Sequence, residues 1–189
     1  MKKVYIIHGW GGAPQEGWYP WIKKELESKG YAVDIPTMPN TDEPTIEEWT
    51  SYMKEQVSTL DKETYFVGHS IGCQAILRYL EKIEEPKIGG MVLVAPWMNL
   101  TPVVYEEEGA EEISKPWRET PINWEKVKSS TENITAIFSD NDPFIPLSDS
   151  EIFKEKLGAE IVIEHGKEHM QEEHGIMKLP VVLEKILSF

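Results

Sequence analysis

The chain has 189 residues, and 33 acidic against 19 basic side chains leave a formal charge of −14. That balance argues against nucleic acid, which needs a basic footprint, and against anionic membrane surfaces. At 40% apolar and 10% aromatic residues the chain is expected to fold, and its single cysteine, Cys73, allows neither an internal disulfide nor a multi-cysteine zinc site, in keeping with a reducing cytoplasm.

No run approaches the roughly 18 apolar residues of a membrane helix. Met1-Lys2-Lys3 is basic, but only Val4, Tyr5, Ile6 and Ile7 follow before His8 and Gly9. That is short of the ~7–15 residues of a secretory core, so a mature soluble protein is expected. Residues 4–7 read as a buried strand ended by Gly9, Gly11 and Gly12. Residues 21–29 carry Trp21, Ile22 and Leu26 at helical spacing and stop at Gly30; residues 31–35 form a second strand, ended by Pro36. Thr45, with Glu48 three residues on, makes a capping box that opens a helix to about residue 60.

Residues 65–67 are a strand, residues 71–83 a helix with Ala75, Ile76, Leu80 and Ile83 on one face, and residues 91–95 another strand. Residues 96–121 contain Pro96, Pro102, Pro116 and Pro121 together with five glutamates between Glu106 and Glu112. They are expected to be irregular: a short lid or loop insertion over residues 96–122, or else a solvated excursion with no role. A strand at 134–138, a helix at 148–157, a strand at 161–163 and a closing helix at 176–187 complete the chain. The alternation predicts a single α/β domain over residues 1–189, a three-layer α/β/α sandwich with a mostly parallel sheet.

Gly68-His69-Ser70-Ile71-Gly72 is a Gly-x-Ser-x-Gly motif between a predicted strand and a predicted helix. A serine at such a sharp turn takes a strained backbone that projects its hydroxyl above the sheet edge, and the flanking glycines remove side chains that would collide. Ser70 is therefore the candidate nucleophile. The amide of Ile71, at the helix start, is a candidate oxyanion donor, because free amides and the positive end of the helix dipole favour negative charge there. A second donor is expected from His8-Gly9-Trp10-Gly11-Gly12 after the first strand, with the Trp10 amide favoured.

A serine needs a base, and the base a carboxylate; after such a motif they follow in the order Ser, Asp or Glu, His. Asp142 is favoured as the carboxylate because Pro143 and Pro146 stiffen its loop, with Asp140 the alternative. Three of the five histidines follow it. His169 lies mid-loop and is the favoured base, while His165 at a strand end and His174 near the last helix are the alternatives. His165-Gly166-Lys167-Glu168-His169 also spells His-x-x-Glu-His, an inverted zinc-peptidase pattern. That spacing needs both histidines on one helix face, which the preceding strand and Gly166 oppose.

These residues resemble the small serine hydrolases of the α/β-hydrolase superfamily, in the branch that includes the retinoblastoma-binding serine hydrolase and bacterial relatives. The resemblance spans nearly the whole chain and rests on His8-Gly9, Trp18-Tyr19-Pro20-Trp21, Gly68-His69-Ser70-Ile71-Gly72, Val94-Ala95-Pro96, Ser139-x-x-Asp142-x-x-Ile145-Pro146, and His169-Met170 followed by Gly175 and Leu179-Pro180. It implies a compact α/β-hydrolase fold, with acid and base on Asp142 and His169. In two respects the chain departs from the family: Glu168 stands before His169 where a glycine is usual, and no Leu-x-Cys-x-Glu motif surrounds Cys73, so retinoblastoma-type binding is not expected.

The expected activity is hydrolysis of a carboxylic ester or related acyl bond through a Ser-His-Asp triad and an acyl-enzyme, with no cofactor and no metal. The expected substrate is a small neutral acyl compound. The −14 charge disfavours dianionic substrates. Trp10, Trp18, Trp97 and Trp117 are candidate pocket walls. A non-catalytic binding protein on the same fold and a zinc hydrolase using the His165/His169 loop are the rival readings.

Overall fold

The computed structural model describes residues 1–189. Six strands, β1 (Lys3–Ile7), β2 (Ala32–Asp34), β3 (Thr64–His69), β4 (Gly90–Val94), β5 (Ile134–Ser139) and β6 (Glu160–Glu164), form one sheet in the order β2-β1-β3-β4-β5-β6. Every neighbouring pair is parallel. The helices are α1 (Tyr19–Ser28), α2 (Ile46–Gln56), α3 (Ile71–Lys82), α4 (Ala110–Glu119), α5 (Trp124–Lys128), α6 (Asp149–Leu157) and α7 (Pro180–Ser188). One layer pairs α1 with α7; the other runs α2, α3, α5, α6 in succession. The central strands β3 and β4 are buried throughout, as continuous apolar runs under helices on both faces should be, while edge strand β6 is only partly covered. No helix is long and apolar enough to cross a membrane.

Thr45 caps α2 as its sequence promises, its hydroxyl accepting from the Glu48 amide at 3.3 Å and donating to the Glu48 carboxylate at 2.8 Å. The helix stops at Gln56 rather than near residue 60, because Val57 turns to extended backbone. The closing helix likewise starts later than expected, with Pro180 at its first turn, where a missing N–H costs nothing.

Residues 96–121 are the main correction. Instead of an irregular loop they hold a 3₁₀ turn at Pro102–Glu106 and helix α4, with Pro116 inside it. Proline removes one helical hydrogen bond, yet Ala110, Ser114 and Trp117 line one face at helical spacing and are buried. The helix end is held from outside. Arg78, fully buried on α3, donates through Nη2 to the carbonyls of Trp117 (2.7 Å) and Thr120 (2.9 Å), and its Nε donates to Gln74 Oε1 at 3.1 Å. Burial lowers the Arg78 pKa and the Glu81 charge opposes that, while the carbonyls at the negative end of α4 accept the guanidinium's hydrogen bonds.

The order of strands places the site. From β1 the chain steps outward to β2, then returns past β1 to β3 and continues the other way, so the loops after β1 and β3 diverge and leave a crevice between them. Ile7 pairs with Gly68, which sets Gly9 against His69 and Ser70. The approach is close. A Cβ at Gly72 would lie 2.6 Å from the His8 carbonyl oxygen and closer still to that of Ile7, and one at Gly68 would lie 2.8 Å from the main chain of Cys73. Both glycines are thus steric requirements, one against β1 and one against the bend itself. Gly72→Ala is expected to cost about 1–3 kcal/mol by overpacking against rigid carbonyls, read as a lowered urea midpoint with unchanged slope.

Candidate active site

Ser70 joins β3 to α3 with φ 53° and ψ −122°, a backbone that an L-residue adopts at a cost of about 1–3 kcal/mol. Its amide continues the β3–β4 ladder by donating to Val94 O at 2.9 Å, and α3 begins immediately after it. The first ten residues of α3 are all buried, so the turn rests on a helix that cannot shift freely. Ile71 is the first residue of that helix, and its amide has no intrahelical acceptor. The loop after β1 is tied down on its far side: Trp10 Nε1 donates to Asp42 O at 2.8 Å and Gly11 N to Thr41 O at 2.8 Å. The Trp10 amide itself donates to no protein acceptor.

Asp142 follows β5, and both its oxygens are engaged. Oδ1 accepts from the amides of Phe144 (2.9 Å) and Ile145 (3.1 Å), while Oδ2 meets His169 Nδ1 at 2.8 Å. The two side chains are 3% and 7% exposed. With the carboxylate accepting, Nδ1 carries the proton, and Nε2 makes no hydrogen bond within the protein. Phe144 packs edge-on against the His169 ring, centroids 5.1 Å apart. Ser70, His169, Trp10 and Phe144 all line a cavity of about 880 Å³ at this end of the sheet. No hydrogen bond links Ser70 Oγ to His169; the two side chains share the cavity wall.

The other candidates are elsewhere. His165 is 83% exposed and pairs with Asp140 at 2.6 Å, outside the cavity; Asp140 also accepts from the Gly166 amide. The bond to Asp140 raises the His165 pKa, and the Gly166 amide, then His165, lowers that of Asp140. His165 and His169 thus turn to different carboxylates from a non-helical loop, and no cluster of three or more His, Cys, Asp or Glu side chains has metal-binding geometry. His174 Nδ1 accepts from the His169 amide at 3.1 Å, and its Nε2 donates to Glu168 at 3.0 Å. His8 is buried, donating from Nδ1 to Gly9 O and accepting from the Met38 amide at Nε2; burial lowers its pKa. Trp10, Trp18 and Trp97 line the cavity, but Trp117 is packed beneath α4 with its indole N–H on Pro44 O.

A family model described as Serine hydrolase matches residues 4–188. The chain belongs to the serine hydrolase family. Among relatives of these serine hydrolases, YdeN of Bacillus subtilis is 32% identical over 190 residues, covering 100% of this chain and 96% of that protein. The crystal structure of the ydeN product superposes with a TM-score of 0.90 at 31% identity, over 100% of this chain and 98% of that one. Serine hydrolase RBBP9 of Rattus norvegicus is 28% identical over 183 residues, 94% of this chain and 92% of that protein. Est1E of Butyrivibrio proteoclasticus, at 16% identity and a TM-score of 0.69 over 99% and 90% of the chains, shares the α/β-hydrolase fold. The chain is accordingly a hydrolase of this superfamily.

One residue to which the sequence assigns no role also reaches the site. His69, the variable position of Gly-x-Ser-x-Gly, is buried with Nδ1 2.9 Å from Tyr19 Oη and Nε2 2.8 Å from His169 O. Burial, and next the nearby His169, push its pKa down to about 3. The sign of the pH effect follows. An unfolded imidazole takes a proton near pH 6.5, the folded one only near 3, so the unfolded state binds more protons in between and stability falls as pH is lowered through that window. Urea midpoints are expected to drop on going from pH 7 to pH 4.5, with the slope from this group approaching about 1.4 kcal/mol per unit, and His69→Gln is expected to flatten that acid limb relative to wild type.

Proposed function

We propose that this hydrolase cleaves a carboxylic ester or related acyl bond, with Ser70 as nucleophile, His169 as general base and acid, and Asp142 as the carboxylate that orients it. One observation carries the reading: a buried Asp142–His169 pair opens onto the same cavity as a serine held at a left-handed strand–helix turn. His169 Nε2 takes the Ser70 proton as Oγ bonds to the acyl carbon, and the carbonyl π electrons move to oxygen. The amides of Trp10 and Ile71 would hold that oxyanion; that the Trp10 amide has no protein acceptor and the Ile71 amide no intrahelical one supports the assignment. Collapse expels the alcohol with the proton from His169; water then enters by the same base to release the acid and restore Ser70.

Ser70→Ala is expected to abolish both fluorophosphonate labelling and p-nitrophenyl ester hydrolysis. Asp142→Asn should lower kcat by about 10⁴-fold through the wrong imidazole tautomer. Labelling that survives Ser70→Ala would falsify the assignment.

Charge around the cavity selects substrate. Asp42 and Glu43 after β2, Glu107 and Glu108 before α4, and Glu172 and Glu173 before α7 line it, with no lysine or arginine. Neutral acyl substrates fit this wall, and anionic ones are repelled. A p-nitrophenyl ester with a carboxylate on its acyl chain is expected to show kcat/KM about 10-fold below its neutral isostere at low salt, the gap closing as ionic strength rises. An equal rate for both esters at low salt counts against it.

A further inference from the structure

The loop carrying His169 is bent in an unusual way: Glu168 (φ 47°) and Met170 (φ 53°), on either side of His169, are both left-handed. Neither is glycine, and each such residue costs roughly 1–2 kcal/mol unless its surroundings hold it. The glycine usual before the base in this family therefore corresponds to a position where only glycine is unstrained, and here side chains from elsewhere take over. Asn141 Oδ1 accepts from the Glu168 amide at 2.8 Å, Trp18 Nε1 donates to Met170 O at 2.9 Å, and His174 receives the His169 amide. The remaining polar group of His169's main chain is its carbonyl. His69 holds that.

We propose that His69 is a positioning residue, a neutral imidazole that ties the chain at Ser70 to the main chain of His169 and so fixes the spacing of the two. A carbonyl only accepts, so His69 Nε2 must carry the proton at the 2.8 Å contact with His169 O. Nδ1 is then an acceptor, and Tyr19 Oη, 2.9 Å away, donates to it. Burial raises the Tyr19 pKa and lowers that of His69, so phenol and neutral imidazole persist across the working pH range. The titratable and charged groups facing His69 are His169 with its Asp142, His8 and Tyr19. Gly9, where a Cβ would lie 3.3 Å from His69 Nδ1, leaves the ring room to take this orientation. Because His69 is the residue before Ser70, its bond to His169 O restrains the serine relative to the base. A misplacement near 1 Å in such a pair costs on the order of 10²-fold in rate.

The inference rests on Ser70 and His169 acting as proposed, and its test separates the two. His69→Phe, which removes both ring nitrogens, is expected to lose about 10–100-fold in kcat on a neutral p-nitrophenyl ester, with KM within about two-fold. His69→Gln, whose side-chain amide can donate to the same carbonyl, should regain most of that loss, and Tyr19→Phe should fall between. Wild-type activity in His69→Phe overturns the inference. So does equal impairment of the Phe and Gln variants, which marks a packing role alone. Imidazole ¹⁵N and ¹H resonances give a readout that needs no turnover: His69 is expected as the Nε2–H tautomer, and the His169 Nδ1 proton should move in His69→Phe and return in His69→Gln. An unmoved His169 proton, or the Nδ1–H tautomer of His69, overturns the inference even in a protein that does not turn over. Absence of fluorophosphonate labelling in wild type instead overturns Ser70 as nucleophile, and the resonances still decide the role of His69.

Discussion

The geometry depends on how closely the first turn of α3 approaches the end of β1. At Gly72 the helix main chain lies against the carbonyls of Ile7 and His8 with no room for a methyl group. That contact fixes where Ser70 emerges, and it brings the Gly9–Trp10 main chain beside it from the neighbouring strand. Because the order of strand addition reverses between β1 and β3, the two loops part above the same line. A close-packed interior does not yield by fractions of an ångström without a cost spread over its neighbours. The placement of the serine is thus a property of the whole central layer, not of one turn.

The opposite wall of the crevice is built by different means. No tight packing of glycine against main chain holds His169; instead, hydrogen bonds take up the amides of residues 166–170 and the carbonyls of His169 and Met170. Asp142 illustrates the principle. One oxygen of its carboxylate is immobilised by the Phe144 and Ile145 amides while the other meets the imidazole, so the pair has little freedom left. Each such bond contributes only about 1 kcal/mol net, but together they outweigh two left-handed residues. The strain of the loop is thus countered by restraints spread over several elements, from the buried Trp18 and His69 to the exposed Asn141.

The strands and most helices were legible because short apolar runs, a capping box and glycine or proline stops are local signals. So was the serine turn, whose motif needs only a strand before it and a helix after. Asp142 was singled out by the proline beside it and His169 by its place in a loop, and the two meet at 2.8 Å. Helix α4 was hidden by Pro116 and the run of glutamates, since what stabilises it, the Arg78 grip and the burial of Trp117, comes from residues about forty positions earlier and from the core. Nor could Trp117 be told from a pocket residue by its identity alone. His69 was the least accessible to reading. It occupies the motif's free position, and its partner is 100 residues away, so no local spacing could connect them.

The anchoring of α4 has a broader consequence. Arg78 holds the end of the helix by the main-chain oxygens of Trp117 and Thr120, with its guanidinium over the Trp117 ring, 6.0 Å from the centroid. The same stretch and the turn before it furnish Val103, Val104, Glu107, Glu108 and Ile113 to the cavity. None of those five side chains takes part in the Arg78 anchor, so this wall of the cavity can change residue by residue while the end of the helix stays fastened to the core.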